Sequence, residues 1–495
     1  MGTPITASML YDIVACPHRP TMDLFGKPAE KDEINPFVQL LWERGVVHEQ
    51  ETIAHLEIPF LDLSSYHGSE KERRTVEAMA RGEQLIYSGS ICADDLLGVP
   101  DLLRREGSDY IPGDIKSGAG LEGPEDDKKP KEHYGVQLAL YADILERRGL
   151  SSSRRGFIWD IRGEEVAYDL MAPLGQRTSR TLWDAYQECL RTARGIVVQT
   201  ERTLPAHAAP CKLCHWRSAC LRRLKQDDDL TLIPELGRSR REVMASRVAT
   251  VSQLAAIDPA QFIQGKKTIF PGIGSETLEK FCRRAQLLAN PQAKPYLKEA
   301  VTLPPAEREI FFDVEFDPFN EVCYLHGFVE RLAGGSEQYV AFFADTATPA
   351  KEEEAFLQAW TYLQRTRPCV IYYYSKYERT IWRLLRERYP DVCTEAEIEG
   401  LFDPAEAIDL YYDIVLPKTE WPTLDYSIKT LATYLGFAWR DPHPSGAASI
   451  EWFHRWIETN DPAVRQRILE YNEDDCLATR VLLDSLRVLP VMAPD

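Results

Sequence analysis

The run Ile111-Pro112-Gly113-Asp114-Ile115-Lys116-Ser117 decides how the first half of this 495-residue chain is read. It reads as a short strand, and alternation along a strand puts Asp114 and Lys116 on one face. A carboxylate and an ammonium then share one small site. Such a pair alone also fits an exposed strand face, so the neighbours decide. Upstream, Gly98-Val99-Pro100-Asp101-Leu102-Leu103 reads as a partner strand with a second carboxylate, and Gly45-Val46-Val47-His48-Glu49 reads as helix bearing an imidazole. Downstream, Tyr134 to Leu145 is an apolar-periodic helix with Gln137 and Tyr141 on one face.

In this order, His48, Asp101, Asp114-x-Lys116 and Gln137-x3-Tyr141 resemble the motif series of RecB-family nucleases of the PD-(D/E)xK, restriction-endonuclease-like fold. The resemblance implies that His48, Asp101 and Asp114 hold Mg²⁺ or Mn²⁺ and that Lys116, Gln137 and Tyr141 complete the catalytic set. The residue types suit that role. Two carboxylates and a neutral imidazole make a hard site for such ions, while a lysine holds or helps deprotonate the attacking water and offsets phosphorane charge. Ser117 to Pro124 and the mixed-charge run after it read as an exposed loop, either touching substrate phosphates or simply solvated.

Of eleven cysteines, Cys92, Cys189, Cys282, Cys323, Cys369, Cys393 and Cys476 read as buried thiols. The other four are different. Cys211-x2-Cys214-x5-Cys220 clusters three thiols, and Cys16 sits near the start in Ala15-Cys16-Pro17-His18-Arg19. Three clustered cysteines with a distant fourth, enclosing the nuclease motifs, resemble the iron–sulfur subgroup of RecB-family nucleases. That subgroup includes the CRISPR adaptation nuclease and helicase-linked repair nucleases. The resemblance implies a 4Fe-4S cluster stapling the N-terminal helix to the end of the nuclease domain, 1–226. Tetrahedral Zn²⁺ competes for the same thiols, with His215 or His18 able to join.

The length allows about three domains, and 44% hydrophobic residues is the content of a globular protein. No basic N-terminal leader and no bilayer-length apolar run occurs, so a cytoplasmic protein is expected without a membrane partner. A net charge of −19 argues against a wholly basic nucleic-acid coat and leaves recognition to local patches such as Lys128-Lys129-Pro130-Lys131 or Arg217 to Lys225.

From about residue 227 to 300 the sequence reads as short helices. Thr231 to Leu236 and Phe270-Pro271-Gly272-Ile273-Gly274-Ser275-Glu276-Thr277-Leu278 resemble paired helix–hairpin–helix elements, the second copy better kept than the first. In such a hairpin, glycines let backbone amides approach a phosphate. A compact helical spacer is the alternative. Prolines at 291, 295, 304 and 305 then mark a boundary.

Beyond it, Glu309-Ile310-Phe311-Phe312-Asp313-Val314-Glu315-Phe316 is a buried-strand pattern broken by acids, and burying like charges is costly unless a cation joins them. Two more strands (322–331, 338–343), a helix (351–366) and a strand at Cys369 to Tyr374 lead to Lys376-Tyr377-Glu378. Late in the chain, Tyr471-Asn472-Glu473-Asp474-Asp475 places Tyr471 and Asp475 on one helical face. Asp-x-Glu, an acid after an aromatic and Tyr-x3-Asp resemble the tyrosine subclass of DnaQ-like exonucleases of the RNase H fold, over 305–495. The resemblance implies an all-carboxylate site, Asp313, Glu315, Glu378 and Asp475 holding metal ions, with Tyr471 orienting the attacking water. Glu378 departs from the usual Asp, so Asp409 and Asp413 stand in reserve, although cap acids are the plainer reading there. Leu424 to Leu431 resembles the helix beside that family's substrate groove.

The expected fold is therefore α/β multidomain: a PD-(D/E)xK domain, a central helical hairpin module and an RNase H-like domain. The order resembles two-nuclease proteins of the RecB family, some fused to helicases, although this chain has no helicase P-loop. The expected function is a metal-dependent DNA exonuclease in processing, repair or defence, acting on single strands or ends, with a helicase or a repair or defence protein as partner. The alternatives are a nucleic-acid-binding scaffold with silent sites and an RNA-processing exonuclease, since nothing here reads the 2′-hydroxyl.

Overall fold

The computed structural model describes residues 2–123, 128–175 and 178–492. Of the loop expected after Lys116, residues 124–127 lie outside the described residues, and Leu121–Glu122 pairs with Lys129–Pro130 as short antiparallel strands. The chain divides into two compact units, one reaching to Pro205 and resuming over Ala209–Arg223, the other comprising Ala206–Ala208 and the chain from Leu224. Among the described residues no helix is long and apolar enough to cross a membrane.

In the first unit, helices α1 (Ala7–Ala15) and α2 (Pro36–Ala54) precede strands β1 (Leu61–Asp62), β2 (Leu85–Tyr87), β3 (Leu102–Glu106) and β4 (Asp109–Ile115). Helix α3 (Glu132–Arg147), strands β5 (Arg155–Trp159) and β6 (Glu165–Asp169) and helix α4 (Leu182–Val197) follow. The strands form one sheet in the order β6-β5-β4-β3-β2-β1. The opening stretch is its central strand, antiparallel to β3 and parallel to β5. Pro112, which has no N–H to give, is tolerated because pairing with β5 starts only at Gly113. Gly113 is demanded by the same neighbour, since a Cβ there would lie 2.3 Å from the ring of Phe157. On one face, Leu138, Ala139 and Ala142 of α3 are buried with Leu103 and Tyr110. On the other, Ile111, Ile115 and Phe157 pack with Leu85 and Tyr87. Alternation therefore turns Asp114 toward α3, where it is 1% exposed. The partner strand expected from Gly98 begins only at Leu102, because Pro100 cannot donate to a ladder, and Asp101 stands just before it.

The second unit opens with helices, α5 (Val251–Ala256) packing on α6 (Ser275–Ala289). The turn before α6 holds Gly272 at φ +77° and uses Gly274 as N-cap. From α6 the buried Arg284 reaches Glu420 at 2.9 Å and Glu235 at 2.6 Å, tying these helices to the part of the unit that follows. That part comprises β7 (Arg308–Asp317), β8 (Val322–Leu332), β9 (Glu337–Phe343), α7 (Pro349–Thr366), β10 (Val370–Tyr373), α8 (Tyr377–Arg388), β11 (Ala407–Asp409), α9 (Ile428–Tyr434), α10 (Gly446–Thr459) and α11 (Pro462–Leu486). Its sheet runs β9-β8-β7-β10-β11, antiparallel from β9 to β7 and parallel from β7 to β11. Ile310, Phe312 and Val314 of β7 pack with Phe356 and Leu363 of α7 and Trp382 of α8. Phe311 turns the other way, into a core with Cys476 and Leu483 of α11. Asp313 and Glu315 continue that second face, so the strand's own period aims both acids at α11.

Candidate active sites

In the first unit, the Asp101 N–H points at Asp114 Oδ1 from 3.4 Å, and the Ile115 N–H donates to Asp101 Oδ2 at 2.8 Å. The two carboxyls are thus fixed at one end of the β3–β4 pair. Lys116 Nζ lies 2.8 Å from Asp114 Oδ2, as strand alternation requires. Burial raises the Asp101 carboxyl, and the charge of Asp114 raises it further. For Lys116, burial favours the neutral amine, but Asp114 and Asp101 together outweigh it and hold the ammonium above its usual range. The lysine is therefore a resident cation.

Helix α2 passes Ser117 at Gly45, where an added Cβ would stand 3.8 Å from Ser117 Oγ. One turn on, His48 Nε2 is buried without a hydrogen-bond partner, and so is Gln137 Oε1 on α3. The Tyr141 hydroxyl lies 3.4 Å from the Val99 carbonyl, and its phenol is raised by burial and then by Asp114 and Asp101. The structure thus brings Asp101, Asp114, Lys116 and Tyr141 together, with His48 and Gln137 supplying buried polar atoms that no protein group satisfies. Sequence reasoning gave Glu49 no role. It accepts from Tyr87 at 2.8 Å, and its charge adds to the rise of Asp101.

In the second unit, Asp313, Glu315 and Asp475 place three carboxylate oxygens within 4.8 Å of one another, the only group of three metal-ligating atoms so close among the described residues. The backbone makes room for it. Gly327 faces Asp313 across β7–β8, and a Cβ there would fall 1.5 Å from Asn472 Oδ1. Asn472 Nδ2 donates to Asp313 Oδ2 at 2.6 Å, while its Oδ1 accepts from Tyr339 at 2.8 Å. Glu315 accepts from Tyr324 at 3.3 Å, and that hydroxyl is 2.9 Å from Ser449 Oγ. Asp475 accepts at Oδ1 from Trp439 Nε1 at 2.7 Å.

Lys429 on α9 completes the arrangement. Its Nζ donates to Asp475 Oδ1 and Oδ2 at 3.0 and 3.1 Å and to the Tyr471 hydroxyl at 2.9 Å. A cation from a distant helix thus pairs with the last of the expected carboxylates. Burial raises Asp313 and Glu315, and the charge of Asp475 raises both further. Glu378, expected at a strand end, lies in the first turn of α8, buried, with Oε2 unsatisfied. It stands outside the tight group of three but close enough for its charge to raise Asp313. Asp409 accepts from the N–H groups of Ser375, Tyr411 and Tyr412 at 3.0, 3.0 and 3.1 Å, so it is a cap acid as the plainer reading held.

The thiols of Cys16, Cys211, Cys214 and Cys220 are half-buried: burial pushes Cys220 up to about 12, and the charges of Cys214, Cys16 and Cys211 add to that rise. Cys16 caps α1, and the Cys214 N–H donates to the Cys211 carbonyl at 3.2 Å. Of the histidines that might join them, His18 Nδ1 lies 2.9 Å from Thr203 and His215 Nε2 2.8 Å from Asp23. Cys92, expected in the core, is half-exposed and donates to Glu72 at 2.8 Å.

Three carboxylates at such spacing, two of them buried, repel one another, and their charge is tolerable only beside a cation. An all-oxygen donor set is what Mg²⁺ or Mn²⁺ takes, so the residues fit the ion. Residues 23–221 match the family model of the PD-(D/E)XK nuclease superfamily, and residues 310–487 that of the RNase_H superfamily. No curated protein matches the chain. With an N-terminal PD-(D/E)XK nuclease domain and a C-terminal RNase H-like domain, the chain is a divalent-metal-dependent nuclease that hydrolyses phosphodiester bonds of nucleic acid.

Proposed function

We propose that the chain is a DNA exonuclease with two separately working active sites, one of RecB type and one of DnaQ-like tyrosine type. The observation that carries it is the presence, in each unit, of a buried carboxylate set with a lysine on one of its members. In the first site His48, Asp101 and Asp114 hold the metal, Lys116 offsets charge at the phosphate, and Gln137 and Tyr141 close the α3 side. In the second, Asp313, Glu315 and Asp475 hold it, Glu378 completes the negative shell, and Tyr471 orients water. A bound divalent ion supplies Lewis-acid polarisation of the phosphate and a more acidic water. The protein's part is to fix the carboxylates: Asn472 and Gly327 place Asp313, and Tyr324 places Glu315. Lys116, 2.8 Å from Asp114, holds or helps deprotonate the attacking water and offsets charge at the phosphate.

In this reading Cys16, Cys211, Cys214 and Cys220 bind a 4Fe-4S cluster that staples the two ends of the first domain. The cluster of Cys211, Cys214 and Cys220 with the distant Cys16, whose charge adds to the rise of Cys220, supports this reading. The turn at Gly272 and Gly274 binds the nucleic-acid backbone. Incubation with Mg²⁺ or Mn²⁺ and labelled single- and double-stranded DNA and RNA tests the assignment. Hydrolysis of DNA from ends supports it, and hydrolysis confined to RNA overturns it.

A further inference from the structure

Beside Glu378 a lysine is held by a ring instead of a carboxylate. Lys376 ends the turn between β10 and α8, two residues before Glu378, and is exposed. Its Nζ lies 4.4 Å from the ring centre of Tyr412, which is itself exposed. Among the described residues no carboxylate pairs with that ammonium.

The backbone builds this pair. Ser375, although not a glycine, is held at φ +94°, which turns the chain so that Lys376 faces outward while Glu378 is buried. The Ser375 N–H donates to Asp409 Oδ1 at 3.0 Å, and the same oxygen accepts from the N–H groups of Tyr411 and Tyr412 at 3.0 and 3.1 Å. One buried carboxylate thus joins the segment bearing Lys376 to the segment bearing Tyr412. Tyr411 meets Tyr412 edge-on at 4.9 Å and packs against Tyr374 at 5.4 Å, so the ring beside the lysine is braced in turn.

A carboxylate would fix a lysine and cancel its charge, whereas an aromatic face fixes it and leaves the charge in place. Other cations of this region are already paired, Lys429 with Asp475 and Arg440 with Asp474 and Glu473. A strand carrying phosphates toward Asp313, Glu315, Glu378 and Asp475 approaches a concentration of negative charge, and Lys376 is a cation fixed next to it. We infer that Lys376 binds a non-reacting phosphate of the substrate strand and that Tyr412 is the positioning residue that aims it. The inference rests on the proposed reading of the C-terminal site as a nuclease.

The test uses the full-length Asp114→Ala protein, in which the first site is silenced, and follows hydrolysis of end-labelled single-stranded DNA over a series of KCl concentrations. Lys376→Met should raise KM about tenfold at low salt, make the slope of log KM against log KCl shallower by about 0.7, and leave kcat within about threefold. Tyr412→Leu should raise KM about threefold, and Tyr412→Phe, which keeps the ring, should match the parent. In the Lys376→Met background Tyr412→Leu should add nothing, because the ring has no ammonium left to aim. Mn²⁺ binding, followed by electron paramagnetic resonance, should match the parent in every variant. A parent-like KM and salt slope in folded Lys376→Met would overturn the inference. So would a Tyr412→Leu loss that persists without the lysine, since the ring would then touch the strand itself. If Lys376→Met does not fold, Lys376→Gln carries the same measurement. Absence of any Asp313-dependent hydrolysis in the Asp114→Ala parent would remove the functional reading and the inference with it. Hydrolysis with an unchanged salt slope in the lysine variant would remove the inference alone.

Discussion

The two sites solve one electrostatic problem by different routes. Each collects buried carboxylates and sets a lysine against one of them, yet Lys116 is two positions along the strand from Asp114, whereas Lys429 comes from a helix 46 residues before Asp475. The two acids and the lysine of the first site are therefore set by one hairpin and its register, with His48, Gln137 and Tyr141 brought by α2 and α3. The second draws on β7, α9, α11 and the Trp439 segment, so its geometry depends on how the whole unit packs. A local site tolerates distant damage; a convergent one does not.

The largest expected contrast lies in the cysteines. Protein prepared without oxygen should be brown and contain iron and acid-labile sulfide, and Cys211→Ser should lose both and become insoluble through its first unit. Stoichiometric zinc without iron would replace the cluster while leaving the comparison of the sites intact. Next comes Gly327→Ala, whose Cβ collides with Asn472, the residue that holds Asp313. Overpacking of this kind destabilises by about 1–3 kcal/mol. Calorimetry should assign the loss to the second unit, and an unchanged melting curve would mean Asn472 has slack.

A smaller effect lies in pH dependence. In metal-free protein, burial and Asp475 push Glu315 up to about 8. A raised carboxyl favours the folded state below its unfolded pKa, and that contribution is lost as pH rises through the folded value. The stabilisation by Mg²⁺ over EDTA should therefore grow from about pH 5 to about pH 8 in the second unit. A pH-independent increment would show that these acids are not the ligands. The smallest effect is expected at the helical turn. Replacing Gly272, held at φ +77°, and Gly274 with bulkier residues should weaken DNA binding several-fold. Unchanged affinity and salt dependence in the folded variant would make that region a spacer.

What the sequence revealed follows the same division. Asp114 with Lys116, Asp313 with Glu315, and Tyr471 with Asp475 each lie within one element, where the strand or helix period shows which side chains share a face. Lys429, Trp439 and Asn472 could not be found that way, because their partners lie 46, 36 and 159 residues off. Asn472 left one signal, an amide in the middle of an otherwise buried helical stretch, and Glu49 left one in sitting beside His48. The start of β3 was misplaced because alternation ran straight through Pro100, whose missing N–H ends the ladder. Glu378 was legible as an acid after an aromatic, but its helix-start position was not.

The central claim is that two hydrolytic centres work independently, and its most direct measurement is time-resolved product analysis of Asp114→Ala, Asp313→Ala and the double variant on end-labelled and circular DNA. Each single substitution removes one carboxylate from its own unit and leaves the other site whole. Even one lost stabilising interaction of this kind costs about a hundredfold or more in rate. Each single variant should therefore lose one activity, distinguishable by substrate or polarity, and the double variant should be inert while still binding DNA. If either single substitution abolishes every product in folded, metal-replete protein, the two centres are not independent, and the surviving domain only binds or positions the substrate.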